Sequence, residues 1–227
     1  MLTSGDAPLF ATASIAFDLD GTLVDTAPDL VRALNAIIQP RGLAPVPLDD
    51  VRAMVGRGAR ALLQRAFERS GRALEDGDAL VAEFIRVYGD AISMESRVFP
   101  GVEDTLAWLQ AQGASLSVCT NKPSVLSDRL IAEVGLAGYF DRIVGPERTA
   151  ARKPAPDHVR DALGTGYQRA ALVGDSAPDV GAASAAGIPS IVMSYGYSEN
   201  PAGSLGASRV VHAFRDVPQA LADLWRA

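Results

Sequence analysis

The sequence predicts an α/β fold in which a parallel sheet forms the core and a helical segment is inserted into it. After about position 114, short apolar runs alternate with helical patterns, which is typical of a parallel sheet with right-handed crossovers. Between residues 28 and 96, apolar residues recur at helical spacing and no convincing strand interrupts them. We therefore expect a Rossmann-like core of residues 1–27 and 97–227 and an α-helical cap domain of residues 28–96.

The predicted strands follow one another along the chain as short apolar runs. The first covers residues 14–17 and ends at Asp18, just before the turn that Gly21 marks. The later runs are rich in small and β-branched residues and cover residues 114–119, 142–145, 170–174, 190–193 and 209–211. Between them, Val102, Leu106 and Leu109 have the spacing of an amphipathic helix. The first 14 residues have neither pattern, and we expect a loose extension there.

Composition excludes several classes of partner. The 227 residues include 21 basic and 27 acidic side chains, which gives a formal net charge of −6. Nucleic acids and anionic membranes favour clustered Lys and Arg, so we expect neither as a partner. No apolar stretch approaches the roughly 20 residues that span a bilayer. Cys119 is the only cysteine, so no internal disulfide can form and a cytoplasmic location is expected.

Asp18 and Asp20 are two carboxylates one residue apart at the end of the first predicted strand. Residues i and i+2 of a strand point the same way, so both side chains can face one site. Carboxylates this close repel each other unless a cation or a shared proton relieves them. The pair alone is weak evidence, because a solvated strand end with an Asp-Gly turn also explains it.

Polar residues also follow the later strands, at the edge where parallel strands present their carboxyl ends: Thr120, Asn121, Lys153, Asp175 and Asp179. Several carboxylates held together favour a hard divalent cation, and Mg²⁺ is the ordinary choice near phosphates. One aspartate can then be a nucleophile that forms an aspartyl-phosphate. A second can donate a proton to the leaving alkoxide and later take one from water. The set indicates phosphoryl transfer.

Four ordered motifs resemble the haloacid dehalogenase superfamily, in its phosphatase branch with a helical cap after the first strand. They are DLDGT at residues 18–22, the strand that ends in Thr120, Lys153 before a proline, and GDSAPD at residues 174–179. The resemblance covers nearly the whole chain. It implies that Asp18 is the nucleophile and Asp20 the general acid/base, and that Thr120 and Lys153 bind the phosphoryl group.

The same resemblance implies a Mg²⁺ site. Asp18, the backbone carbonyl of Asp20, and Asp175 would coordinate the ion, and Asp179 would support it. More narrowly, the motifs FDLDGTLVDTAPDL, VGRGA, TNKP, KPAPD and GDSAPDVGAASAAGIP are similar to those of phosphoglycolate phosphatases. This implies a small phosphorylated metabolite as the partner, 2-phosphoglycolate above all.

Several residues have both a functional and a structural interpretation. Arg57, or Arg60, can bind a substrate carboxylate from the cap, or either can be a solvated charge. Asn121 can bind phosphate, but it can equally be a solvated turn residue, as can its neighbour Lys122. Asp175 can be only a helix N-cap, and Asp179 only an exposed acid on the helix. His158 and His212 are isolated, so a histidine-based mechanism is not expected.

Other functions remain open at this point. A phosphatase or phosphomutase of sugar phosphates, a pyrophosphatase, or a haloacid dehalogenase would use the same fold. Dehalogenation needs no Mg²⁺ and no proton for an alkoxide, so Asp20 and the pair Asp175 and Asp179 favour phosphate chemistry. A phospho-accepting signalling module also uses an aspartate, a threonine and a lysine, but it lacks the helical insertion. Both a monomer and a homodimer are compatible with the sequence.

Overall fold

The computed structural model describes residues 7–226, and its core is a six-stranded parallel sheet. The sheet strands are β1 (Ala13–Phe17), β4 (Ser115–Cys119), β5 (Arg142–Val144), β6 (Arg169–Gly174), β7 (Ser190–Met193) and β8 (Arg209–Val211). They lie in the order β5-β4-β1-β6-β7-β8, with every neighbouring pair parallel. Numbered within the sheet alone, this is the order 3-2-1-4-5-6 of Rossmann folds. The predicted fold class is confirmed, and each predicted strand is present to within one residue at either end.

The helices flank this sheet or belong to the inserted segment. Their bounds are α1 (Ala7–Phe10), α2 (Ala27–Ile38), α3 (Leu48–Arg52), α4 (Ala59–Arg69), α5 (Gly77–Gly89), α6 (Val102–Ala111), α7 (Ser124–Glu133), α8 (Pro156–Leu163), α9 (Ala177–Ala186) and α10 (Val217–Arg226). Among the described residues, no helix has both the length and the apolar character that crossing a membrane requires. The cytoplasmic location stays a prediction.

The sheet separates two hydrophobic clusters. Ile15 and Phe17 of β1 belong to the larger cluster, and Ala16 between them belongs to the smaller one with Cys119 and Leu172. This is the alternation that a pleated strand imposes on a sheet covered on both faces. Burial raises the pKa of the Cys119 thiol to about 12, so this cysteine is a small core residue, as the sequence indicates.

The N-terminal segment differs from the prediction. Residues 7–10 form α1, and Phe10 is fully buried, with ring centroids 5.1 Å from Trp108 and 5.5 Å from Trp225 in edge-on packing. A buried aromatic ring removes a large apolar area from water and anchors the segment that carries it. The expectation of a loose extension is wrong for residues 7–14, and residues 1–6 lie outside the described residues.

The helices α2 to α5 lie between two short strands, β2 (Val24–Asp25) and β3 (Arg97–Val98), which pair antiparallel. The buried Asp29 carboxylate joins the two ends of this segment. Its Oδ2 accepts hydrogen bonds from the backbone N–H of Ser96 at 2.8 Å and of Glu95 at 3.0 Å. Asp29 therefore holds the beginning and the end of the inserted segment together. The division into a core and a cap of residues 28–96 stays a prediction.

Candidate active site

The carboxyl ends of β1 and β6 bring Asp18 and Asp175 together. The Asp18 N–H donates to the Val173 carbonyl at 2.8 Å, which continues the parallel pairing of the two strands past the end of β1. The chain then turns at Gly21, whose φ is 84°. A Cβ at this position would lie 2.5 Å from an Asp175 carboxylate oxygen. Only glycine allows this left-handed turn to approach Asp175 so closely.

Three buried carboxylates lie close together, and two of them contact one buried ammonium. Lys153 Nζ lies 2.9 Å from Asp18 Oδ1 and 2.6 Å from Asp179 Oδ1. Asp18, Asp175 and Asp179 each offer a carboxylate oxygen, and these oxygens lie within 4.8 Å of one another. All four side chains are almost fully buried. The acidic and basic residues that the sequence assigns to three separate motifs thus form one cluster.

Burial disfavours the charged forms of the carboxylates in this cluster. Burial raises the pKa of Asp18 to about 7, with Asp179 adding to the shift and Lys153 opposing it. Burial also raises the pKa of Asp175 well above its ordinary value, and the neighbouring Asp179 and Asp18 contribute. Burial alone would lower the pKa of Lys153, but Asp179 and Asp18 raise it, so this side chain stays charged. Three buried carboxylates beside a single ammonium are a donor set that fits a divalent cation with oxygen ligands.

Asp179 also builds the start of α9. Its Oδ2 accepts hydrogen bonds from the Ser176 N–H at 3.0 Å and the Ser176 hydroxyl at 2.7 Å, and together they form a capping box. A Cβ on Gly174 would lie 2.3 Å from Asp179 Cγ. The interpretation of Asp179 as an exposed helix acid is wrong, because the side chain is buried between Lys153 and its own helix end.

His158 positions Lys153, a role that sequence reasoning missed. Its Nδ1 accepts a hydrogen bond from the Lys153 N–H at 3.0 Å, and its Nε2 donates to the Val144 carbonyl at 2.9 Å. Burial lowers the pKa of His158 to about 4, so the ring is neutral and keeps both roles. The only sequence signal is its place five residues after Lys153, in the first turns of α8.

Asp175 is held by residues from two other parts of the chain. Its Oδ1 accepts a hydrogen bond from the Thr22 hydroxyl at 3.1 Å, and its Oδ2 accepts one from the Tyr197 N–H. Gly196 lies against the same side chain, and a Cβ there would lie only 2.1 Å from Asp175 Cβ. The loop after β7 can reach Asp175 because position 196 has no side chain.

Gly196→Ala is expected to lower the rate of the phosphoryl transfer that the motifs predict by about 100-fold, because a displacement near 1 Å of a positioned group costs this much. The new methyl group must push Asp175 away. Gly203→Ala is the matched control, because nothing lies within 4 Å of a Cβ at that position. Steady-state kinetics over a series of Mg²⁺ concentrations measures the effect. An unchanged rate and Mg²⁺ dependence in Gly196→Ala would contradict this role for the glycine.

Asp20 faces a different group from Asp18. Its Oδ1 accepts hydrogen bonds from the Thr26 hydroxyl at 2.8 Å and from Lys122 Nζ at 3.0 Å, and its Oδ2 lies 3.3 Å from the same Nζ. Lys122 Nζ also donates to the Tyr88 hydroxyl at 2.9 Å. The interpretation of Lys122 as a solvated turn residue is wrong, since the residue is only 5% exposed.

Thr120 and Asn121 line the same site at the end of β4. The Thr120 hydroxyl accepts a hydrogen bond from the Lys122 N–H at 3.2 Å. The Asn121 amide donates to the Gly56 carbonyl at 3.0 Å and to the Lys153 carbonyl at 3.2 Å. Asn121 therefore links the inserted segment to the loop that carries Lys153. Its side chain is buried rather than solvated. Its binding of phosphate stays a prediction.

A cavity lies between this sheet edge and the helices of the inserted segment. Its polar lining consists of Asp18, Asp20, Tyr88, Thr120, Asn121 and Lys122. Its apolar lining includes Leu30, Val55, Leu62, Phe84 and Leu126. The ionisable groups thus lie at one end of a small, mostly apolar chamber, where electrostatic interactions are stronger than in water.

Arg57 and Arg60, the two arginines that the sequence suggests as carboxylate ligands, do not line this cavity. Arg57 has a 55% exposed side chain, lies 3.9 Å from Glu199, and faces a neighbouring opening that it shares with Arg152 and Lys153. Arg60 is half exposed and pairs with Asp78. The hypothesis that one of them binds a substrate carboxylate stays a prediction, and the cavity itself offers a different cation.

A parallel sheet with buried carboxylates and a lysine at its carboxyl edge defines a class of α/β enzymes that hydrolyse phosphoric monoesters. The chain belongs to the haloacid dehalogenase-like hydrolase family, whose sequence model matches residues 15–193. The superfamily resemblance read from the four motifs is confirmed.

Individual relatives agree with this family. The chain is 50% identical to the phosphoglycolate phosphatase of Caulobacter vibrioides over 213 residues, which cover 92% of this chain and 90% of that protein. It is 41% identical to the phosphoglycolate phosphatase of Agrobacterium fabrum over 210 residues, 90% of each chain. The crystal structure of a predicted phosphoglycolate phosphatase from Haemophilus somnus superposes with a TM-score of 0.81 at 28% identity, covering 90% of this chain and 96% of that one.

Proposed function

We propose that this chain is a Mg²⁺-dependent phosphatase that hydrolyses 2-phosphoglycolate through an aspartyl-phosphate. The observation that carries the proposal is the buried cluster of Asp18, Lys153, Asp175 and Asp179 beside Asp20. It combines a carboxylate that can attack, a fixed cation, and an excess of negative charge that suits a divalent metal. The phosphoglycolate phosphatases to which the chain is similar support the choice of substrate.

In the first step, Asp18 Oδ attacks phosphorus and forms the aspartyl-phosphate while the ester bond to the alkoxide breaks. Asp20 donates its proton to the leaving oxygen and is then ionised. Lys153 and the Thr120 hydroxyl hold the oxygens of the transferring group, and Lys153 balances their charge. In the second step, Asp20 takes a proton from water, which attacks phosphorus and releases phosphate from Asp18.

The residues that would hold Mg²⁺ are Asp18, Asp175 and the backbone carbonyl of Asp20, with Asp179 in support. When bound, the ion would supply charge stabilisation for the phosphoryl oxygens. The side chain of Asp20 contacts Lys122 and Thr26, whereas the side chain of Asp18 contacts Lys153. This arrangement supports different tasks for the two aspartates of the first motif, attack for Asp18 and proton transfer for Asp20.

The apolar lining of the cavity supports a small substrate over a sugar phosphate. A sugar would bring several hydroxyl groups into contact with Leu30, Leu62 and Phe84, which offer no hydrogen bonds. Polar groups buried without partners lose roughly 1–3 kcal/mol each. A leaving group with one polar end fits this chamber better.

A phosphate-release assay on purified protein tests the function. The panel would contain 2-phosphoglycolate, several sugar phosphates and pyrophosphate, each with Mg²⁺ and with a chelator. We expect the highest kcat/KM for 2-phosphoglycolate and loss of activity with the chelator. Higher kcat/KM values for sugar phosphates or pyrophosphate would refute 2-phosphoglycolate as the substrate. Equal phosphate release with Mg²⁺ and with the chelator would refute the requirement for Mg²⁺.

Mg²⁺ affinity is expected to rise with pH up to about 7. The pKa of Asp18 is raised to about 7, so below that pH the metal must displace a proton from this carboxyl group. Affinity should therefore fall by up to about tenfold for each pH unit below 7. Calorimetric titration with Mg²⁺ at pH 6, 7 and 8, in two buffers with different ionisation enthalpies, measures both affinity and proton release. An affinity that is constant over this range would contradict the assignment of Asp18 as a ligand.

A further inference from the structure

We infer that Lys122 and Tyr88 bind the carboxylate of the leaving group and so select a short phosphorylated acid. This inference rests on the proposed function, because it names the part of the cavity that recognises the substrate. Neither residue belongs to the cluster that would hold the phosphoryl group and the metal. Lys122 follows β4 in the core, and Tyr88 lies near the end of α5 in the inserted segment.

The position of Lys122 follows from the position of Asp20. The leaving oxygen must lie beside Asp20, because Asp20 gives it a proton. Lys122 Nζ lies 3.0 Å and 3.3 Å from the two Asp20 oxygens. The ammonium is therefore two hydrogen bonds away from the leaving oxygen, with the Asp20 carboxyl group between them. In 2-phosphoglycolate the carboxylate is separated from the ester oxygen by one carbon. A carboxylate at that spacing reaches the ammonium, whereas a longer chain carries it past Lys122 into the apolar part of the cavity.

Charge in the cavity points to the same residue. Among the described residues that line the cavity, Lys122 is the single cation. Lys153 does not line the cavity; its ammonium contacts Asp18 and Asp179 in the cluster that would bind the phosphoryl group. A substrate carboxylate that enters a chamber lined by leucine, valine and phenylalanine loses its hydration, so it needs a charged partner there. Lys122 is the side chain that can supply one.

Tyr88 provides the second contact. Its hydroxyl accepts a hydrogen bond from Lys122 Nζ, and its ring packs parallel to Phe84 with centroids 6.0 Å apart. Burial raises the pKa of Tyr88 well above its ordinary value, with Asp20 adding to the shift, so the hydroxyl keeps its proton. That proton can be donated to an anion beside the ammonium. An ammonium and a neutral hydroxyl side by side form a carboxylate site that joins the inserted segment to the core.

In the structure, the Asp20 carboxylate itself occupies this site. A substrate carboxylate would take over the hydrogen bonds of Lys122, while Thr26 continues to hold Asp20 Oδ1. The other Asp20 oxygen then turns to the leaving oxygen. Binding of the correct acid thus releases the side chain that the first chemical step requires.

The test compares two substrates that differ only in the carboxylate, 2-phosphoglycolate and ethyl phosphate. The measured quantity is the ratio of their kcat/KM values in the presence of Mg²⁺. Lys122→Met is expected to lower this ratio by about 10- to 100-fold, the usual loss for a hydrogen bond to a charged group. Tyr88→Phe, which keeps the ring, is expected to lower it by about 3- to 10-fold. Arg86→Met is the matched control, because this exposed side chain lies outside the cavity, and it is expected to leave the ratio unchanged.

The outcomes separate this inference from the proposed function. An equal loss on both substrates in Lys122→Met would show that the lysine acts only on Asp20 and would overturn the inference. A lower ratio in Arg57→Met with an unchanged ratio in Lys122→Met would overturn it too. If Lys122→Met does not fold, the ratio in Tyr88→Phe decides, and an unchanged ratio refutes the site. Failure of the unmodified protein to release phosphate from either substrate would instead refute the proposed function.

Discussion

Asp18→Asn is expected to lower the rate of phosphate release by on the order of 10⁴-fold or more, because the variant lacks the attacking oxygen. The amide has almost the shape of the carboxylate but is a poor nucleophile. It also offers a weaker ligand to a metal ion. Single-turnover and steady-state measurements of phosphate release from 2-phosphoglycolate, each with saturating Mg²⁺, give the size of the loss.

The same variant is expected to remain folded. Asp18→Asn removes one of three buried carboxylates, and Lys153 keeps its contact with Asp179. The free energy of unfolding in urea should therefore change by less than about 1 kcal/mol or rise. Asp157→Asn is the matched control, because this exposed carboxylate lies in the first turn of α8, away from the cavity. Near-normal turnover in pure Asp18→Asn would rule out Asp18 as the nucleophile.

The sheet was predictable because its signals are local. Each strand is a short apolar run, and its carboxyl end is marked by the polar residue that follows. Asp18, Thr120 and Asp175 could be assigned to one edge from the topology alone, since parallel strands end on the same side. The side chains meet as expected.

The contacts that the sequence did not reveal depend on packing between distant segments. Lys122 lies in a turn that reads as solvated, and it is buried because Tyr88 of the inserted segment lies 34 positions earlier and covers it. Phe10 is anchored by two tryptophans from α6 and α10. Such pairs have no periodicity, so a single sequence offers no local signal for them. The direction of an arginine such as Arg57 is set in the same way.

Lys153→Met is expected to destabilise the metal-free protein by about 3–5 kcal/mol, the usual cost of leaving buried charges without their partner. The methionine has a similar length, so little packing is lost. Asp18 and Asp179 would lose the ammonium that lies 2.9 Å and 2.6 Å from their oxygens. Arg160→Met is the control, because this side chain is exposed and its ion pair with Asp157 is long, at 3.9 Å. Urea unfolding in the presence of a chelator measures both variants.

The pH dependence of this loss tests its electrostatic origin. Burial already raises the pKa of Asp18 to about 7, and removing Lys153 takes away the charge that opposes the shift. The folded variant therefore binds more protons than the unfolded chain, and its stability rises as the pH falls. The difference from the unmodified protein should be larger at pH 8 than at pH 6, and Mg²⁺ should restore part of it by binding only the folded state. Equal unfolding free energies of Lys153→Met and the unmodified protein at pH 8 with chelator would show that the carboxylates do not depend on this lysine.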